Sequence, residues 1–216
     1  MKTIVFDLEI QKAIVPSPEK CTEADRALVA AGKAVHGWDN AHKGGISSAV
    51  AYCLEEDRYH VFGDRRDEHL RLVDLLQNAD RVVGFNHWNF DYPLLAASTG
   101  VVMEEITDMA AAPGERDIDL LQMIWAGLGG RYFAKGNGLD AVTLATLGER
   151  AGGKNGNGAE APLLYQQGMY GPLLNYNVRD VDLTRRLLRF INEHGYCING
   201  EGKVIKPVHP REWFTR

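Results

Sequence analysis

Residues 3–10, which read Thr-Ile-Val-Phe-Asp-Leu-Glu-Ile, constrain the fold of this chain more than any other segment. Apolar and β-branched side chains dominate both faces of this run, which is typical of a strand buried within a sheet. Asp7 and Glu9 are two residues apart, so both carboxylates project from the same face of the strand. Carboxylates on a buried face need a cation or hydrogen-bond donors close by, and a hard divalent metal ion is one natural partner.

The segments that follow predict an α/β fold. Two β-rich runs flank Glu55-Glu56-Asp57, so we expect a hairpin over 46–63. Helix-like and strand-like patterns then alternate, with helices expected at 65–79, 91–98, 139–147 and 172–193, and strands at 81–86 and from 117. This order predicts a mixed five-stranded sheet flanked by helices. Near the end, Asn199-Gly200 is typical of a tight hairpin turn between strands within 196–205.

Two stretches lack a clear hydrophobic period. Residues 11–45 are too long for an ordinary connection, so we expect a flap, a lid or a peripheral packing element there. The stretch from 148 to 161 is rich in Gly and Asn, and its composition predicts an exposed loop.

Length and composition place the chain among ordinary globular proteins. A chain of 216 residues predicts one domain, and 45% hydrophobic with 25% charged residues excludes wholesale disorder. No apolar run approaches the roughly 18–20 residues of a membrane span, and acids follow the first apolar residues too early for a signal peptide. The three cysteines (Cys21, Cys53 and Cys197) are too scattered for a disulfide framework. We therefore expect a cytoplasmic protein with no membrane partner.

The net charge is −5, from 24 basic and 29 acidic residues, which argues against nucleic-acid binding by bulk electrostatics. An enzyme that reaches a polyanion through metal ions remains compatible with this charge. Residues 176–216 carry eight Arg or Lys against five Asp or Glu. Candidates for phosphate contacts in this part are Arg179, Arg185, Arg186 and Arg189. A solvated helix face is an equally good interpretation of these arginines.

Two further acids have ordinary structural interpretations when each is taken alone. Asp91 comes shortly after a strand, where the helix dipole favours an acid in the first helical turn. Asp180 follows Tyr176 by four residues on a predicted helix, so the two share a face, as a solvent-facing acid beside an interfacial Tyr would. Asp7 and Glu9 could likewise pair with distant arginines, and a surface position is the simplest interpretation of His87. The joint occurrence of these acids in this order still requires an explanation.

The combination resembles the motifs of DEDD-type 3′-5′ exonucleases of the tyrosine subtype, in the ribonuclease H-like superfamily. The three matching motifs are Phe6-Asp7-Leu8-Glu9, Asn86-x-x-x-Phe90-Asp91 and Tyr176-x-x-x-Asp180. Asn175, and not His, stands five residues before Asp180, which disfavours the histidine subtype. Residues 138–148 resemble a small helix that such domains place between the second and third motifs. The nearest resemblance is to stand-alone predicted exonucleases of bacteria and phages.

The resemblance covers residues 1–193 and implies a ribonuclease H-like exonuclease domain with 11–45 as an inserted segment. Residues 194–216 are then a C-terminal hairpin and tail packed on the same domain. The resemblance also implies two divalent ions, Mg²⁺ or Mn²⁺, held by four carboxylates.

The resemblance assigns a role to each residue of the motifs. Asp7 would bridge both ions, Glu9 would bind the first ion and accept from the terminal 3′-hydroxyl, and Asp91 would support the second ion through waters. Asp180 would hold the ion that activates water, and Tyr176 would orient the attacking water. The substrate-binding residues would be Leu8, Asn86 and Phe90, with Leu8 and Phe90 wedged against terminal bases. Trp38 and the segment around it are a candidate for closing over the substrate.

The expected function is therefore metal-dependent release of nucleotides from the 3′ end of a nucleic acid, with single-stranded DNA favoured over RNA. A polymerase or repair enzyme, if one acts with it, would be a separate chain. Two alternatives on the same fold stay open: a structure-selective or RNA-directed nuclease, and a catalytically silent nucleic-acid-binding module. A small-molecule role for a plain α/β domain has no supporting motif.

Overall fold

The computed structural model describes residues 1–107, 116–130, 135–148 and 160–208. The strands in these ranges are β1 (Thr3–Ile10), β2 (Ala13–Val15), β3 (Ala34–His36), β4 (Ile46–Cys53), β5 (Arg58–Phe62), β6 (Arg81–Gly84), β7 (Asp117–Asp119), β8 (Cys197–Ile198) and β9 (Val204–Ile205). The helices are α1 (Glu23–Ala30), α2 (Arg66–Gln77), α3 (Asp91–Thr99), α4 (Met103–Thr107), α5 (Leu120–Gly127), α6 (Leu139–Leu147), α7 (Ala161–Gln166) and α8 (Tyr170–His194).

The central sheet has five strands in the order β5-β4-β1-β6-β7, so β1 lies in its middle. β1, β6 and β7 run parallel to one another, whereas β4 is antiparallel to both β1 and β5. Helices cover both faces of the sheet. This arrangement confirms the predicted α/β fold with a mixed, ribonuclease H-like sheet.

Alternate residues of β1 enter two separate cores. Phe6 and Leu8 pack with α2 and α3 on one face of the sheet, whereas Val5 packs with α5 and α8 on the other. Burying a side chain of this size contributes about 1.5–3 kcal/mol, so a shift of the β1 register by one residue would be costly. The same alternation places Asp7 and Glu9 on the face that α8 covers.

The long helix α8 is amphipathic, as its sequence predicts. Its buried residues recur at helical spacing and include Leu173, Asn177, Val181, Thr184 and Leu188. The helix begins at Tyr170, two residues earlier than predicted, because a Pro at 172 is tolerated in the first helical turn. Asp180 lies at the border of this buried stripe, facing β1.

Residues 11–45 form a small folded element, which we call the insertion. β2 and β3 pair in parallel, α1 begins with a capping box between Thr22 and Asp25, and Val15, Cys21 and Ala34 form a separate core. Two 3₁₀ helices, Pro18–Lys20 and Trp38–Lys43, complete it. The prediction of a peripheral packing element therefore describes it best. Strands of three residues are too short to produce a readable period, which explains the missing signal.

Other boundaries differ from the prediction in local ways. The strand predicted over 81–86 ends at Gly84, and α4 and α7 had no predicted counterpart. The C-terminal turn spans Asn199 to Lys203 instead of two residues, because the buried Asn199 side chain accepts from the backbone N–H groups of Glu201 and Lys203. Most of the predicted loop at 148–161 lies outside the described residues.

The C-terminal hairpin, β8 and β9, packs on α6. Thr146 Oγ1 donates to the carbonyl of Ile198 (3.0 Å) and accepts from its N–H (2.8 Å). Cys197 and Ile205 belong to the same core as α5 and α8. The division of the chain at residue 193 stays a prediction.

Among the described residues, no helix has the length and apolar character needed to span a membrane.

Candidate active site

Three of the four predicted acids converge at one place. Asp7, Glu9 and Asp180 each offer a carboxylate oxygen, and these oxygens lie within 4.8 Å of one another. Glu9 is buried, whereas Asp7 and Asp180 are half-buried. Two acids come from one face of β1 and the third from α8, so the cluster requires the helix to pack across the strand.

A hydrogen bond beside the cluster holds α8 in this position. Asn177 is fully buried and donates through Nδ2 to Ser48 Oγ (3.2 Å) and toward the Ser48 carbonyl (3.4 Å). Ser48 is the β4 partner of Glu9. Asn177 therefore ties the helix to the sheet at the register position of the acids. The sequence analysis did not identify it, although its place on the apolar stripe of α8 was a usable signal.

The carboxylates of the cluster raise one another's proton affinity. Burial raises the pKa of Asp7, and the charges of Asp91, Glu9 and Asp180 raise it further. Burial, Asp180 and Asp91 likewise raise the pKa of Glu9. The pKa of Asp180 is raised to about 7, chiefly by burial and then by Asp140, although its hydrogen bond with Tyr176 and the charge of Arg179 act to lower it. The protein thus holds like charges together at a cost in stability.

Asp91 stands apart from the three clustered acids and approaches β1 from its edge. β1 pairs with β6 only through Val5, so the N–H of Leu8 lacks a strand partner on that side. Asp91 Oδ1 accepts from this N–H at 2.9 Å. Burial raises the pKa of Asp91 to about 7, with opposing contributions from His87, which lowers it, and Asp119, which raises it.

The donor set fits a divalent metal ion. Carboxylate oxygens are the ligands that Mg²⁺ and Mn²⁺ prefer. Asp7, Glu9 and Asp180 are close enough to share an ion, and a positive charge among them would remove the repulsion that raises their pKa values. Asp91 lies next to this group, because it accepts from the N–H of Leu8 and its charge raises the pKa of Asp7.

Tyr176 lies one helical turn before Asp180, and a side-chain hydrogen bond joins the two. Burial raises the pKa of the Tyr176 hydroxyl far above its usual value, and the charges of Asp180, Glu9 and Asp7 raise it further. The hydroxyl therefore stays protonated at any physiological pH and is a hydrogen-bond group and not a base.

The three predicted substrate-binding residues occupy different environments. Leu8 is only 3% exposed and packs in the core on the side of α2 and α3, and its backbone N–H donates to Asp91. Asn86 is half-buried with a φ of 68°, a left-handed conformation that Asn tolerates, and it begins the turn into α3. Phe90 is half-buried and directly precedes Asp91. Contact of any of the three with substrate stays a prediction.

A buried polar network that the sequence analysis missed supports Asp91. His87, expected at the surface, is 0% exposed, and its Nε2 lies 2.8 Å from Asp117 Oδ1, which also accepts from Tyr92 (2.6 Å). Burial acts to lower the pKa of His87, but Asp119 and Asp117 outweigh it and the pKa is raised. A Cβ at Gly84 would come 2.7 Å from the His87 ring, so Gly is required there. The available sequence signal was Asp117 and Asp119, two acids two residues apart in a predicted strand, like Asp7 and Glu9 in β1.

Asp119 fastens the turn before α3 to the start of α5. Its Oδ1 accepts from the N–H of Asn86 (2.8 Å) and Leu121 (3.0 Å), and its Oδ2 from that of Trp88 (3.1 Å). The side chain is 0% exposed. Asp119 thus fixes the segment that presents Phe90 and Asp91.

Replacing Asp119 by Asn is expected to destabilise the protein by about 2–4 kcal/mol, because an amide nitrogen would face buried N–H donors and the charge-assisted bonds would be lost. Urea unfolding followed by circular dichroism measures the change. Asp67→Asn is the matched control, since that carboxylate is 66% exposed and should change stability by less than about 0.5 kcal/mol. Equal stability of the two variants would contradict the role given to Asp119.

The four arginines predicted to contact phosphate lie along α8. Arg179 pairs with Asp140, Arg185 with Asp182 and Arg189 with Glu193. The guanidinium of Arg185 also lies over the ring of Tyr52, at 4.7 Å. A surface cavity of about 430 Å³ is lined by Arg185, Arg186 and Arg189. Their contact with phosphate stays a prediction.

Comparison with known proteins gives a fold but no family. The sequence matches no protein-family model and no curated protein. Among solved structures, it is similar to the family B DNA polymerase from the hyperthermophilic archaeon Pyrobaculum calidifontis, with a TM-score of 0.60 and 18% identity. The match covers 89% of this chain and 24% of the polymerase chain, so this chain spans about a quarter of the polymerase's length. At this identity the likeness shows a shared fold, which agrees with the sheet described above.

Proposed function

We propose that this protein is a metal-dependent 3′-5′ exonuclease that releases nucleotides from nucleic-acid 3′ ends, with single-stranded DNA as its preferred substrate. The observation that carries the proposal is the convergence of Asp7, Glu9 and Asp180 within 4.8 Å, with Asp91 next to them. These acids belong to the three motifs that resemble the tyrosine-subtype DEDD exonucleases.

The fold likeness to a DNA polymerase supports a nucleic-acid substrate. It also motivates the further proposal that a separate polymerase or repair enzyme acts on the same DNA ends. The net charge of −5 is compatible with this substrate, because an acidic site loaded with cations attracts phosphate.

Two divalent ions held by these carboxylates would activate a water and neutralise the charge that develops on the phosphate. The residues of the chain provide the framework for this chemistry. Asp7 and Glu9 are held in place because β1 pairs with β4 along their length and the Leu8 N–H between them donates to Asp91. Asp180 is held by the Asn177 contact with Ser48. The protonated Tyr176 hydroxyl, bonded to Asp180, orients the water that attacks the phosphate.

Replacing Tyr176 by Phe is expected to lower kcat by about 10–100-fold while KM changes little, because only the orienting hydroxyl is lost. The pH dependence of kcat should keep its shape, since Tyr176 does not ionise in the working range. Steady-state kinetics on a single-stranded oligonucleotide from pH 6 to 9 provide the measurement. Loss of the rise of kcat with pH in Tyr176→Phe would show that Tyr176 acts as a base.

The proposal itself is tested by a time course on 5′-labelled single-stranded DNA and the matching RNA, with magnesium, with manganese and with chelator. We expect a metal-dependent ladder of products that shortens from the 3′ end, faster for DNA, and absent in Asp7→Ala. Cleavage at internal positions would replace the proposal with a structure-selective nuclease, and faster RNA degradation would reverse the substrate preference. Binding without cleavage under any metal would indicate a silent binding module.

A further inference from the structure

The insertion begins and ends beside the acid cluster. It leaves β1 after Ile10, one residue beyond Glu9, and joins β4 at Ile46. The N–H groups of Gln11 and Lys12 donate to the carbonyls of Gly45 and Gly44, at 3.0 and 3.1 Å, and close the base of the insertion. The insertion therefore starts beside Glu9, and its second 3₁₀ helix packs against α3, the helix that begins at Asp91.

The insertion is an ordered element that has its own small core and is bonded to the rest of the domain. Its small core and capping box order it locally, and Gln166 on α7 anchors it from outside. Gln166 Nε2 donates to the carbonyls of Gln11 and Lys33, both at 2.9 Å. A side chain carried by this element is held in place, which is what a binding residue requires.

Trp38 is the prominent exposed side chain of the insertion. It begins the 3₁₀ helix Trp38–Lys43, which packs against α3, and 73% of its surface is exposed. Its ring lies against Phe90, with centroids 6.1 Å apart and planes inclined at 59°. Trp is highly buried on average, so an ordered Trp presented to solvent beside a second aromatic ring indicates a binding surface.

We propose that Trp38 and Phe90 form a stacking surface for unpaired nucleobases at the 3′ end of the substrate. The inference rests on the proposed exonuclease function and identifies what selects single strands. Phe90 directly precedes Asp91, so a base stacked on this pair belongs to a nucleotide adjacent to the acids. Aromatic rings bind every base through its π-face, and a base within a duplex does not offer that face.

The decisive experiment compares two single-stranded DNAs, one with normal nucleotides at its 3′ end and one whose 3′-terminal residues lack bases. Wild type should cleave the normal strand about tenfold faster in kcat/KM, since stacking is lost on the abasic strand. Trp38→Ala should slow the normal strand by about tenfold and leave the abasic strand unchanged. Trp38→Phe should restore most of the difference because it keeps an aromatic face.

Tyr59→Ala is the matched control, because Tyr59 is an exposed aromatic residue on the edge strand β5. It should retain the wild-type preference for the strand with bases. Equal slowing of both substrates by Trp38→Ala would assign Trp38 a structural role and overturn the proposal. The proposal would also be overturned if Trp38→Ala slowed neither substrate. Sedimentation of wild type and Trp38→Ala compares their oligomeric states. A difference would mean that the exposed Trp38 ring contacts another copy of the chain, and it would also overturn the proposal.

A binding measurement separates this proposal from the exonuclease proposal. In an Asp7→Asn background, the single-stranded DNA should quench tryptophan fluorescence, and the added Trp38→Phe change should remove most of that quenching. Quenching without cleavage by the wild-type protein would support the stacking surface and reject the exonuclease. Cleavage by wild type without quenching would reject the stacking surface alone.

Discussion

Replacing Asp7 by Asn is expected to lower the rate of nucleotide release by about 10³-fold or more, the largest effect of any single substitution in this chain. Asp7 lies among Glu9, Asp180 and Asp91, and all three of their charges raise its pKa. Asn keeps the size of the side chain but removes the charge that a shared divalent ion requires. The rate of shortening of a labelled single strand measures the effect.

The same substitution should stabilise the protein in the absence of metal. Removing one of several closely spaced, partly buried like charges is worth about 1–2 kcal/mol, or about 4 °C in Tm for a chain of this size. Lower activity together with higher metal-free stability is a signature that a merely misfolded variant cannot give. Asp74→Asn, an exposed change on α2, is the control and should alter neither quantity. An active Asp7→Asn variant would remove the basis of the site assignment.

Without divalent metal, the free energy of unfolding is expected to fall as the pH rises from about 4 to about 7. Asp91 and Asp180 have pKa values of about 7 in the folded protein, against about 3.9 in an unfolded chain. The folded state therefore binds more protons in this range, and stability decreases with pH until the folded pKa is passed. For the buried Asp91 alone the loss is on the order of 2–4 kcal/mol.

Magnesium or manganese should reverse this loss, because an ion bound only by the folded state stabilises it by mass action. Urea unfolding between pH 4 and 8, with chelator and with each metal, measures both effects. Asp91→Asn keeps an oxygen that accepts from Leu8 N–H, so its metal-free stability should decline less steeply with pH. Identical slopes for wild type and Asp91→Asn, with no gain from either metal, would contradict a metal site at these acids.

Hydrophobic periodicity was sufficient to predict the central sheet and the main helices. The apolar residues on both faces of β1 predict its burial, and the two-residue spacing of Asp7 and Glu9 predicts that they share a face. The spacing of Tyr176 and Asp180 predicts a common helix face, and the structure has them joined by a hydrogen bond. These inferences succeeded because each depends only on residues close together in the chain, where strand and helix geometry alone set the directions of side chains.

Long-range contacts were beyond the reach of the sequence. Nothing near His87 in the chain indicated that Asp117 and Asp119 would bury it, since the three meet only when β7 joins the edge of the sheet. The separation of Asp91 from the other acids likewise depends on where β6 stops pairing with β1.

Local spacing in the sequence by itself determined that this chain would present acids on one strand face and one helix face within an α/β fold. Only the tertiary structure decided that α8 crosses β1 where Asp180 meets Asp7 and Glu9, and that the insertion places Trp38 against Phe90. The physical reason is that hydrophobic burial is non-directional and sets which faces turn inward, whereas specific pairings such as Asn177 with Ser48 set how those faces are aligned.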